Sequence, residues 1–116
     1  MSKFDVMKQK FSAIYKLYVQ KAERKQRTKE EVDSIILWLT GYSTEDLINT
    51  LNSDTTLEEF LNGIPAMNST ADSITGKVCG IRVEEIADPL TKKMRLMDKL
   101  IDELAKGYTM NKIFRQ

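Results

Sequence analysis

Histidine is absent from the 116 residues. Its absence excludes Ser-His-Asp and Cys-His catalysis, histidine-ligated zinc and an imidazole pH switch. Cysteine occurs once, as Cys79, so the chain can close no disulfide on itself and build no thiolate zinc site. A lone thiol fits a reducing cytoplasm. Any catalysis would fall to carboxylates, Lys, Arg, Tyr or that one cysteine. No apolar run approaches the roughly 20 residues of a membrane-spanning helix. Met1-Ser2-Lys3-Phe4-Asp5 lacks the apolar segment and small-residue cleavage site of a secretion signal. No repeat, low-complexity tract or linker divides the chain. The expectation is one cytoplasmic domain over residues 1–116, without a membrane partner and long enough to bury its own core.

Positive charge is missing from one long stretch. Between Glu30 and Gly76 there is no Lys or Arg, while Glu30, Glu31, Asp33, Glu45, Asp46, Asp54, Glu58, Glu59 and Asp72 are all acidic. The segment before it is the reverse, with Lys3, Lys8, Lys10, Lys16, Lys21, Arg24, Lys25, Arg27 and Lys29 against Asp5 and Glu23. A net charge of +1 hides this asymmetry. Surface fields of opposite sign guide partners and self-association even when total charge is near zero.

What is present is helical periodicity. Phe11, Ile14, Tyr15, Tyr18 and Ala22 recur at steps of three and four, predicting a helix over about 4–26. Lys10, Leu17, Lys21 and Arg24 fall on its flank. Thr28-Lys29-Glu30-Glu31 is a capping box, in which side chain and backbone at the helix start satisfy each other. Val32, Ile35, Ile36 and Leu39 follow as an apolar stripe, stopped by Gly41. Ser43-Thr44-Glu45-Asp46 and Thr56-Leu57-Glu58-Glu59 open two shorter helices, the second closed by Gly63 before Pro65. Carboxylates gather in first turns because the helix dipole favours them there, so the acidic middle has a plain structural origin. Asp88-Pro89 starts a long helix with the stripe Leu90, Met94, Met97, Ile101 and Leu104, ended by Gly107. A last short helix begins near Thr109.

Residues 74–83 fit a helix, a structured loop or a short strand. A strand there has no partner elsewhere, which favours helix or loop. Asn68-Ser69-Thr70 matches a glycosylation pattern and reads as loop chemistry. The fold expected is all-α, a compact bundle of about five or six helices, two of them long. The first helix and the helix after Pro89 are expected to sandwich the shorter acidic ones.

Two blocks carry a resemblance. One runs from Leu17-Tyr18-Val19-Gln20-Lys21-Ala22-Glu23-Arg24-Lys25 through Arg27-Thr28-Lys29-Glu30-Glu31-Val32-Asp33 to Trp38-Leu39-Thr40-Gly41-Tyr42. The other joins Ile74-Thr75-Gly76, Cys79-Gly80, Arg82-Val83-Glu84-Glu85-Ile86, Asp88-Pro89-Leu90 and Asp98-Lys99-Leu100-Ile101-Asp102-Glu103-Leu104-Ala105-Lys106-Gly107. Together they resemble the prokaryotic family catalogued as domain of unknown function 2200. The resemblance implies a small single-domain protein and brings no catalytic residues.

Two groups of residues are candidate sites. Arg82, Glu84, Glu85 and Asp88 form the densest polar cluster outside the helix starts. If the segment is helical, Glu84 and Asp88 share a face and can hold a hard cation, with Arg82 ready for an anion or phosphate ester. The plainer reading pairs Arg82 with a carboxylate and makes Asp88 a helix cap. The second group is a partner surface of Tyr18, Lys21, Arg24 and Trp38. Lys21, Arg24, Lys25 and Arg27 also suit phosphates. Against a nucleic-acid role stand the acidic opening of the next helix and an isoelectric point near 7.8. Thr75-Gly76-Lys77 fails as a phosphate loop, because Ala71 stands where glycine is needed and Val78 where Ser or Thr is needed. Cys79 lacks a visible base and reads as a buried thiol. No catalytic residue, cofactor or metal is assigned. The leading expectation is a non-catalytic module that self-associates or binds another protein. A small-molecule or anion-binding protein or enzyme using Arg82, Glu84 and Glu85 comes second, and a weak nucleic-acid binder through the first helix third.

Overall fold

Each of the three Ser/Thr-x-x-acid patterns starts a helix. In the computed structural model, which describes residues 5–116, Thr28, Ser43 and Thr56 cap α2 (Lys29–Thr40), α3 (Thr44–Leu51) and α4 (Leu57–Asn62) with full capping boxes. Asp88 caps α5 (Pro89–Ala105) with proline at its first turn, and Thr109 caps α6 (Met110–Ile113). With α1 (Phe11–Arg24) these make an all-α bundle.

The first helix is shorter than its periodicity suggests. Its expected start at residue 4 lies outside the described residues. Val6–Lys8 form a turn of 3-10 helix capped by Asp5, and Gln9 and Lys10 are extended. The reason is a pairing outside the helix. Phe11 donates its amide to the Thr55 carbonyl at 2.8 Å, and Leu57 donates to the Gln9 carbonyl at 2.8 Å. This seats Phe11 against Phe60, ring centroids 3.8 Å apart.

At the other end α1 closes in a Schellman arrangement. Arg27 donates to the Ala22 carbonyl and Gln26 to that of Glu23, with Gln26 at φ +64°. The α5 terminus repeats it, Tyr108 bonding Glu103 and Gly107 bonding Leu104, but with glycine at the left-handed position. A side chain other than glycine is strained there.

The long helices do not sandwich the short ones. Tyr18 bonds Asp98 and Lys21 bonds Asp102, so α1 and α5 pack directly and run parallel. α2 runs antiparallel to α1, with Tyr15 donating to Asp33. Phe11, Ala22, Ile35, Leu57, Met97 and Ile101 meet in one fully buried interior.

Beyond α4 the chain crosses the end of α2. Ala66 donates to the Thr40 carbonyl and Asn68 to that of Leu39, satisfying carbonyls the helix leaves open. The approach is so close that a Cβ on Gly41, itself at φ +75°, would sit 2.9 Å from the Ala66 oxygen. Asn68 of the glycosylation-like triplet caps a short 3-10 turn by accepting from the Thr70 amide, and its side-chain amide donates to the Trp38 carbonyl.

Residues 74–83 are neither helix nor plain loop. β1 (Lys77–Val78) and β2 (Ile81–Arg82) pair as an antiparallel hairpin. The partner strand absent elsewhere is the chain's own next two residues. Cys79 at φ +52° and Gly80 at φ +79° form the two-residue turn, which needs positive φ at both positions. That corrects the expectation for Cys79 as well: at a hairpin tip its thiol is exposed rather than buried.

One buried ion cluster was invisible to periodicity. Glu103 is 3% exposed, receives two bonds from Arg115 at 2.7 and 3.0 Å, and pairs with Lys99 at 3.1 Å. Removing one partner of a buried charge costs far more than breaking an exposed pair. Arg115→Ala is expected to cost roughly 2–3 kcal/mol in urea unfolding. Lys10→Ala, which loses an exposed pair with Asp54, should cost under about 0.5 kcal/mol. Gln26→Gly relieves the left-handed strain at the end of α1. It should stabilise by roughly 0.5–1 kcal/mol, read as a melting temperature raised by a few degrees.

Candidate functional site

The groove between α1 and α5 follows from their parallel packing. Parallel helices end side by side, so two negative dipole ends lie together, each carrying about half an elementary charge. Cations belong there. Lys21, Arg24 and Lys25 come from the last turns of α1, and Lys106 follows the last turn of α5. Arg27 reaches across, donating from Nη1 to the Leu104 and Tyr108 carbonyls at 3.2 and 2.8 Å, while Nε and Nη2 hold Glu31.

The same end of the groove opens into a cleft of about 730 Å³, walled by Lys21, Arg24, Lys25, Lys106, Asp102 and the apolar Leu17 and Ala105. Asp102 receives Lys21 at 3.2 Å and Lys106 at 3.0 Å. Burial alone would raise its carboxyl, but the two ammonium groups outweigh that and hold it below its ordinary range. Among the described residues Arg24 and Lys25 have no acidic partner, so the cleft keeps surplus positive charge. Leu17 is 57% exposed at its edge.

Leu17 also borders a second hollow of about 250 Å³ further along the groove, where Tyr18, Arg95 and Asp98 meet apolar walls from Ile14 and Met94. Tyr18 donates to Asp98 at 2.5 Å, and Arg95 bonds the other carboxylate oxygen at 3.3 Å. Burial first, then the Asp98 charge, push the Tyr18 hydroxyl well above its ordinary range. Tyr15 is raised to about 12 by burial and by its bond to Asp33. Both phenols therefore stay protonated at neutral pH, and neither is poised as a base.

The four residues expected to form a partner surface separate. Lys21 and Arg24 stand together in the cleft. Tyr18 is a buried residue at the second hollow further along the groove, its hydroxyl engaged. Trp38 sits elsewhere, half-buried and stacked on Phe114 with centroids 4.9 Å apart. The sequence pattern placed Leu17 among the flanking cations but gave no sign that Lys106, 85 positions after Lys21 (106 − 21), would join them.

Arg82, Glu84, Glu85 and Asp88 are all exposed. The helix that would align Glu84 with Asp88 does not form, since the 3-10 turn Val83–Glu85 ends before an extended Ile86. Glu84 accepts from the Gly76 amide at 3.0 Å and lies 3.8 Å from Arg82. Asp88 accepts from the Thr91 amide and hydroxyl. Among the described residues no group of three or more Cys, Asp or Glu side chains is placed to hold a metal ion.

Asp102 gives this site a pH signature. Its folded value is lowered, so its stabilisation is complete above the unfolded value of about 3.9 and is lost as pH falls through the lower folded value. Asp102→Asn should remove roughly 0.5–1 kcal/mol at pH 7, since the partners are solvated. It should also flatten the acid limb below about pH 4 in urea melts followed across pH.

The family described as "Uncharacterized protein conserved in bacteria (DUF2200)" matches residues 5–115. The crystal structure of uncharacterized protein SP1917 is similar over 98% of this chain and 95% of its own, with a TM-score of 0.91 at 38% identity. No curated protein sequence matches.

Proposed function

For a chain that belongs to the DUF2200 family of bacterial proteins, we propose a non-catalytic role, as a protein-interaction module whose docking face is the α1–α5 groove. The observation that carries it is Leu17, an apolar side chain 57% exposed beside a cleft bearing Lys21, Arg24, Lys25 and Lys106. An apolar anchor at the edge of a cation-rich cleft fits an acidic, amphipathic protein segment: the anchor supplies desolvation and the cations supply steering and register.

The arrangement favours this reading over the other two. A phosphate backbone would match the cations but leave the exposed Leu17 against charge. A ligand site at Arg82, Glu84 and Glu85 has less support, because these side chains lie open to solvent and Glu84 is already engaged by the Gly76 amide and Arg82. No helix among the described residues is long and apolar enough to cross a membrane. The cytoplasm is the compartment we assign, since a single exposed thiol suits reducing conditions.

A synthetic helical peptide with leucine along one face and flanking glutamates tests the groove, read by fluorescence anisotropy at low salt. Leu17→Glu should weaken its binding by about tenfold or more, equivalent to about 1.4 kcal/mol. A peptide of equal charge with glutamine in place of leucine should bind similarly weakly. If that control binds as tightly as the leucine peptide, the groove senses charge alone and the reading fails.

A further inference from the structure

A second helix carries an exposed apolar side chain, and its surroundings are the inverse of Leu17's. Ile48, 52% exposed, stands on α3 at a hollow of about 310 Å³ between α2 and α3. Glu30 and Asp33 line that hollow, and the exposed Glu45 lies one turn before Ile48 on α3. Lys29 is its one basic wall, and its ammonium is held by Asp33 at 2.8 Å. Leu17 thus stands at the edge of a mostly cationic cleft, and Ile48 beside a mostly acidic hollow. The two lie toward different neighbours of α1, Tyr18 and Lys21 bonding α5 while Tyr15 bonds α2.

Resting on the groove reading above, we propose that the occupant of the α1–α5 groove is the α2–α3 edge of a second copy of this chain. Opposite net charges bring the faces together and fix their register, while Leu17 and Ile48 leave water against one another. Groove-on-groove pairing is disfavoured, because it sets Lys21, Arg24, Lys25 and Lys106 against their own counterparts. Contact between two different patches is heterologous. Each copy offers one of each, so addition continues until the rotation closes a ring.

The test uses the full chain with Leu17→Glu, which spoils the groove, and Ile48→Lys, which spoils the edge. Both positions are exposed on helices, and thermal melts confirm that each variant folds. Light scattering and sedimentation velocity at about 50 and about 500 mM salt read the mass. Wild type is expected to grow beyond the dimer with concentration at low salt and to associate about tenfold more weakly at high salt. Each variant alone should remain monomeric. Their equimolar mixture should form a one-to-one pair and nothing larger, because it contains a single intact groove and a single intact edge per pair.

Wild type that stays monomeric throughout overturns the proposal, as does a mixture that stays monomeric while wild type associates. The acidic leucine peptide separates the two readings. If it still binds the groove of a monomeric wild type, the second copy is removed as occupant and the groove remains a docking face. If it does not bind, both readings fall.

Discussion

Two helix dipoles lying parallel and ending at the same place set the terms for the rest of this molecule. α1 and α5 run together, locked by Tyr18 on Asp98 and Lys21 on Asp102. Parallel dipoles in contact repel, and their C-terminal carbonyls add partial negative charge at one spot. Arg27 answers this most directly, its guanidinium bridging the Leu104 carbonyl of α5, the Tyr108 carbonyl just beyond it and the carboxylate of Glu31. The Arg27 bond also holds the Glu31 carboxyl below its ordinary range. Through that pair the start of α2 is tied to the end of α5, so one residue joins three helices.

The same logic accounts for the charge map. Acidic residues crowd the first turns of α2, α3 and α4, each inside a capping box. Basic residues crowd the end that α1 and α5 share. Opposite signs on different flanks are therefore first a consequence of where helices begin and end. Leu17 and Ile48 are what helix-end electrostatics leaves unexplained. Nothing about satisfying a dipole calls for an apolar side chain among those charges.

Helix starts were the most legible part of the sequence, because a cap needs only side chains within four residues of one another. Thr28, Ser43, Thr56, Asp88 and Thr109 all cap as their patterns indicate. The misreadings share a cause in contacts made far along the chain or in special backbone. The start of α1 is set by pairing with Thr55 and Leu57, more than 40 positions away. The hairpin at Cys79 was hidden because its strands are two residues long and a cysteine stands where asparagine or aspartate would signal the turn. Half of the groove was visible as the flank of α1. The half supplied by Asp102, Ala105 and Lys106 depends on helix order in space, which periodicity does not encode. Glu103 illustrates the same limit: a helical wheel sets Lys99 one turn before it, but only the fold buries it and brings up Arg115.

The separation of 80 positions between Tyr18 and Asp98 has a kinetic consequence. Helical bundles usually fold fast because most of their contacts are local. Here the first long helix finds its parallel mate only after a large loop has closed, and that entropy must be met before the pairing returns anything. During synthesis α1 emerges long before α5. Until α5 appears, the face carrying Tyr18 and Ala22 has no permanent cover, so the nascent chain carries an apolar helix through most of its translation.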